Sequence, residues 1–206
     1  MKRLRCDVQS FPDCRKTFFD VDQIINEVNT GLISTPGGLA VTNGPLSVLI
    51  AKNTVVSTPI TGIVETAFDN INFQIDPHSL RVGSVLCFLA TGKKSTSPTT
   101  PGTLNLRLLF DFTDLVLLVA TGNKALNAST VNEAWFLEVS MRVTAIGGGG
   151  TALVGGFYHN GRSAGPIRSS AGGLEFDIAK DVQLTAKLSA AGNSIECENA
   201  FLWRAI

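Results

Sequence analysis

Charge is scarce in this chain: Asp, Glu, Lys and Arg make up 17% of its 206 residues, against the ~25% usual in soluble domains. The charges also cancel, 17 basic against 17 acidic, which removes any global pull toward nucleic acid or an anionic membrane. Tyrosine occurs once and tryptophan twice, so the side chains favoured by recognition tips are few. The four cysteines, Cys6, Cys14, Cys87 and Cys197, form no CxxC pair and have no histidine at metal-ligand spacing. No metal or other cofactor is expected. The N-terminal stretch MKRLRCDVQS lacks the apolar run of a signal peptide, and no later run is long and apolar enough to span a bilayer as a helix. The expectation is a chain made and assembled in a reducing cytosol, with free thiols and no membrane partner. Cys87 and Cys197 fall inside apolar strand patterns and should pack as small hydrophobes.

Chemistry-bearing residues are equally thin. His78 and His159 are the only histidines; the first follows Asp-Pro in a turn, the second opens a polar loop. Neither has the surroundings a Ser-His-Asp site requires. Glu196 and Glu198 should share a side of the last strand, and paired carboxylates can hydrolyse glycosides, but a solvated strand face accounts for them better. Asp111, Asp114 and Asp177 could touch a cation, yet they do not form the dense loop of a calcium site. No enzyme is expected.

Apolar residues, in contrast, reach 44%, with twelve phenylalanines, and their spacing is informative. In AWFLEVSMRVT, Trp135, Leu137, Val139, Met141 and Val143 alternate with Phe136, Glu138, Ser140, Arg142 and Thr144, the period of a half-buried strand. Gly147 to Gly150 close a hairpin into TALVGGFYH, where Gly155-Gly156 suggests a bulge or a close backbone approach. Leu104, Leu106, Leu108 and Phe110 share one face, as do Val182, Leu184, Ala186 and Leu188. Further strands are expected at TVVST, GIVETAF, NINFQI, SVLCFLATG, LVLLVATG, LEFDI and SIECENAFLWRA, with a long loop over HNGRSAGPIRSSAGG. Nine or ten short strands with turns between them predict an all-β, antiparallel jelly-roll-like sandwich over residues 53–206. Such a composition, apolar and poor in charge, favours an oligomer that covers part of its surface.

Residues 1–52 read differently. Lys2, Arg3, Arg5, Arg15 and Lys16 against Asp7 and Asp13 give the first sixteen residues a net charge of 5 − 2 = +3, leaving −3 for the rest. Phe18, Phe19, Val21, Ile24, Ile25 and Val28 then mark a short amphipathic helix at about 20–30, with Asp20 as N-cap and Gly31 as its stop. LISTPGGLAVTNGPLSVLIAK, punctuated by Pro and Gly, reads as an extended arm rather than a sheet strand. Five basic residues are few for packaging a genome; docking on a protein surface suits them better.

The order of segments over about 53–206 resembles a group of tailed-bacteriophage virion proteins with trimeric jelly-roll domains, used as head decoration (cement) proteins, head fibres or spikes, and fibre tips. The Trp135 strand and the closing segment GNSIECEN, Gly192 to Asn199, carry most of the likeness. The resemblance implies a homotrimer on the capsid surface of a virion, assembled in the host cytoplasm, whose partner is the major capsid protein. Arg3, Arg5, Arg15, Lys16, Phe18, Phe19, Val21, Ile24, Ile25 and Val28 are the expected capsid-binding residues of the arm. A receptor-binding head-fibre or tail-fibre domain is the alternative. A secreted trimeric ligand resembling the C1q and TNF jelly rolls is a third reading, weakened by the absent signal peptide.

Overall fold

A computed structural model describes residues 33–35, 38–40, 47–111, 116–147 and 149–205. The chain divides into two units, Met1–Val48 and Leu49–Ile206. In the first, β1 (Ile33–Thr35) and β2 (Gly38–Ala40) form an antiparallel pair, with Ser34 opposite Leu39. The helix expected at 20–30 lies outside the described residues.

The second unit is an all-β sandwich of two antiparallel sheets. One sheet runs, edge to edge, β12 (Ala164–Leu174), β11 (Gly150–His159), β10 (Glu133–Ala145), β6 (Val85–Ser95), β14 (Ser194–Ala205) and β3 (Ser47–Asn53). The other runs β4 (Thr66–Ala67), β13 (Lys180–Leu188), β7 (Thr103–Asp111) and β8 (Val116–Ala120), with β5 (Phe73–Ile75) also on β13 and β9 (Lys124–Ala125) also on β7. The strand β3 takes SVLIAKN, from within the stretch expected to be an arm, onto the edge of the larger sheet.

Alternation puts the core between the sheets. Trp135, Leu137, Val139, Met141 and Val143 are all buried on β10, as their spacing predicts. Leu104, Leu106, Leu108 and Phe110 on β7 and Val182, Leu184, Ala186 and Leu188 on β13 bury the opposing face. Leu86, Phe88, Val139, Met141 and Leu202 of the larger sheet meet Leu108, Leu118 and Val182 of the smaller one at the centre of the core. The turn after β10 forms as expected: Gly147 takes φ 99° and its carbonyl accepts from Gly150 N at 3.1 Å. Gly156 is the close approach, since a Cβ there would meet the Glu138 carbonyl; Gly155 has open space above it.

Three further expectations fail. HNGRSAGPIRSSAGG is no loop: eleven residues from Ala164 form β12, paired along β11. Its small and polar residues hide the strand period, because only Ile167, Ala171 and Leu174 are buried. Pro166 is tolerated because β12 is the sheet edge, where a missing N–H breaks no ladder. TVVST and LEFDI, in contrast, are mostly irregular: Ser57 and Phe176 are buried there as anchors, without strand pairing. GIVETAF contributes only the two residues of β4.

Candidate interaction surface

The fold places few reactive groups together. Among the described residues no group of three or more His, Cys, Asp or Glu side chains could hold a metal ion. His78, in a turn at φ 57°, lies 3.5 Å from Asp177 with both side chains largely exposed. His159 does not open a loop; it ends β11 and stacks on Phe136 at 5.9 Å. Cys197 is fully buried, and burial pushes its thiol up to about 12, the opposite of an activated nucleophile. Cys87 faces outward and is half-buried rather than in the core; burial and the nearby Glu138 charge raise its thiol too. Glu196 and Glu198 do share a side, two residues apart on β14, and both reach Lys93 Nζ, at 3.0 and 3.1 Å. Paired with one ammonium, they form an ion cluster rather than an acid and base held apart.

Buried polar groups in the sandwich are likewise committed to structure. Lys94, buried on β6, pairs with Glu133, which also accepts from Asn127 Nδ2 at 2.8 Å. Burial alone would raise the Glu133 carboxyl, but Lys94 and Asn127 outweigh it and hold it below the usual range. Glu65 is held low in the same way, against its own burial, by Thr185 and Arg107 at 2.6 Å each.

What remains is the outward face of the larger sheet. The registers of β12, β11, β10, β6 and β14 define rows across it. One row reads Arg168, Gly155, Ser140, Cys87, Trp203; the next reads Pro166, Phe157, Glu138, Leu89, Phe201. On the other side of the first lies Ser170, Leu153, Arg142, Val85, Ala205. Residues of opposite parity on the same strands, such as Leu137, Phe88 and Leu202, are in the core, so these rows face away from it. A solvated sheet face is ordinarily polar; this one carries Leu89, Phe201, Trp203, Val85, Leu153 and Phe157. Leu153 and Phe157 are 58% and 39% exposed, and Phe157 stacks on Phe136 at 5.8 Å.

Arg142 and Arg168 border a shallow groove of about 470 Å³ floored by Ser140 and Gly155, with Val85 and Leu153 as apolar walls. The side chains of Glu138, Arg142 and Arg168 have no hydrogen-bond or ion-pair partner among the described residues. Sequence reasoning missed this surface, although one signal was present: Phe136 interrupts an otherwise polar face in AWFLEVSMRVT. The expected capsid-binding residues, from Arg3 to Val28, all lie outside the described residues.

Comparison with known proteins adds only distant likenesses. No family model matches the chain, and no curated protein matches it. Among solved structures, arcelin-5, a lectin-like defence protein from Phaseolus vulgaris, is similar at a TM-score of 0.42 and 7% identity, over 79% of this chain and 94% of that one. Lectin I-B4 from Griffonia simplicifolia is similar at 0.37 and 8%, over 85% of this chain and 91% of that one. A structure of the infectious bursal disease virus Gx strain is similar at 0.23 and 11%, over 84% of this chain and 44% of that one. Likeness at this level says nothing about sugar binding or particle assembly in this chain.

Proposed function

We propose that this chain is a virion structural protein of a tailed bacteriophage, a trimeric decoration (cement) protein that stabilises the head, with the segment preceding β3 as its anchor on the major capsid protein. The reading treats the sandwich as a jelly roll: β3-β14-β6-β10 over β5-β13-β7-β8 is an eight-stranded core in which the chain crosses repeatedly between sheets. The hairpin partners β11 and β12 extend one sheet beyond it. The observation that carries the reading is the outward face of the larger sheet, where aromatic and aliphatic side chains stand with charged ones that have no partner among the described residues. Such a face serves adhesion between proteins better than catalysis.

The anchor role rests on composition. A net +3 segment followed by Phe18, Phe19, Val21, Ile24, Ile25 and Val28 combines apolar burial, at ~25 cal/mol per Å², with charges that steer encounter. The test is co-sedimentation of the purified full chain with undecorated heads of the phage that encodes it. Saturable binding in multiples of three, lost in Ile24→Asp more than in Arg3→Ala, supports the reading. Failure to bind heads, with binding to host cells instead, replaces it by the receptor-binding fibre domain.

A further inference from the structure

We infer that the outward face of β6, β10, β11 and β14 is the surface on which copies of this chain pack together, Glu138 of one copy pairing with Arg142 and Arg168 of the next. This deepens the trimeric reading above and rests on it.

Leu89 and Phe201 are register partners, as are Cys87 and Trp203 in the adjacent row, so a large apolar side chain occupies both rows at the β6–β14 seam. Across the outward column of Glu138, Ser140 and Arg142 on β10, Phe157 and Leu153 form a second apolar pair on β11, on either side of the open Gly155. Apolar side chains on both flanks of a charged column, with Trp, Phe and Arg together, have the composition of an interface and its anchoring residues.

Charge then selects the occupant. Glu138 and Arg142 are four residues apart on β10, about 13 Å along a strand, too far to pair directly. Arg168 is on β12, in the row next to Glu138. The face therefore offers one carboxylate and two guanidiniums whose side chains no described residue pairs. A second copy supplies the complement of both signs at once, whereas an acidic partner would leave Glu138 opposed and a basic one would leave both arginines opposed. In a cyclic arrangement one patch of the face meets a different patch of the neighbour, which brings Glu138 to the arginines without two-fold symmetry. Gly155 and Ser140 keep the groove between the guanidiniums open to a carboxylate, which two arginines can bind through paired N–H donors.

The test is sedimentation velocity on the full chain across the micromolar range, for wild type, Glu138→Arg, Arg142→Glu with Arg168→Glu, and all three together. Each charge reversal alone is expected to weaken assembly about tenfold, and their combination to recover it to within about threefold. Cys197 serves as the folding control, since its buried thiol alkylates only in an unfolded variant; Glu138→Gln, with a smaller loss expected, replaces any reversal that fails it. If wild type assembles and no reversal alters it, this face is not the contact, while the trimeric reading stands. Weakening by both reversals without recovery overturns the pairing. A wild-type chain that sediments as a monomer throughout overturns the trimeric reading, and this inference with it.

Discussion

Trp135 and Gly92 are register partners on β10 and β6, and the indole lies where a side chain at residue 92 would be. Trp135 Nε1 donates across that gap to the Glu196 carbonyl at 3.1 Å, and the ring stacks on Phe68 at 5.9 Å. A Cβ on residue 92 would collide with that carbonyl and come within 2.9 Å of the indole. The first prediction follows: Gly92→Ala forces β6, β14 and the indole apart and costs about 3 kcal/mol. Urea denaturation followed by tryptophan fluorescence measures it. An unchanged midpoint would mean that the three strands can separate freely at this point.

The second prediction concerns acid. The carboxyls of Glu133 and Glu65 are held below their ordinary range in the folded chain. A depressed carboxyl contributes stability that is present above its unfolded pKa and is lost as pH falls through the folded one. Stability should therefore be level near neutrality and decline below about pH 4.5. Glu133→Gln leaves the buried Lys94 ammonium without its counter-charge, costs about 3 kcal/mol at pH 7, and flattens the acid limb. Melting temperatures between pH 3 and 7 test this; an acid limb identical in the variant would assign the decline to other groups.

The third prediction separates the two described thiols, which the sequence grouped together as core. Cys197 has its thiol raised to about 12 and is fully buried, so roughly one molecule in ten thousand carries the thiolate at pH 8. It should resist iodoacetamide until the chain unfolds. Cys87 is half-buried on the outward face and should label slowly in the folded chain. Mass spectrometry of peptides after timed alkylation distinguishes the sites. Labelling of Cys197 before Cys87 would contradict the register of β14.

How far the sequence could be read depends on how strictly each strand alternates. In β7, β10 and β13 polar and apolar residues alternate, and the buried face could be named residue by residue from Trp135 to Val143 and from Val182 to Leu188. VLCFLA in β6 and AFLW in β14 are apolar on both faces, so periodicity could find these strands but not say which side was inward. Periodicity therefore puts Cys87 in the core and gives no sign of the outward Leu89–Phe201 pair. The strand β12 failed for the opposite reason: Gly, Ser and Pro carry no period, and only pairing with β11 makes it a strand. The candidate surface, built from rows across β12, β11, β10, β6 and β14, depends on register, and register is a tertiary property.

The final prediction returns to GNSIECEN, the segment that carried the family resemblance. Gly192 turns the chain at φ 79°, and Asn193 follows it with 2% of its surface exposed. Its Oδ1 accepts from Ser97 N at 2.7 Å, while Nδ2 donates to the carbonyls of Pro101 at 2.9 Å and Ala190 at 3.1 Å. One side chain thus ties together the loop after β6, the approach to β7 and the turn between β13 and β14. An amide is required, because the site needs one acceptor and two donors. Asn193→Ala leaves those backbone groups without the amide and should cost about 3 kcal/mol. Asn193→Asp keeps the acceptor but loses both donors and buries a charge against two carbonyls, so it should cost at least as much and recover as pH falls and the carboxyl protonates. Hydrogen exchange gives the local readout: the Ser97 amide should lose protection in Asn193→Ala while the amides of β10 keep theirs. Unchanged exchange at Ser97 would show that the three loops hold their positions without Asn193.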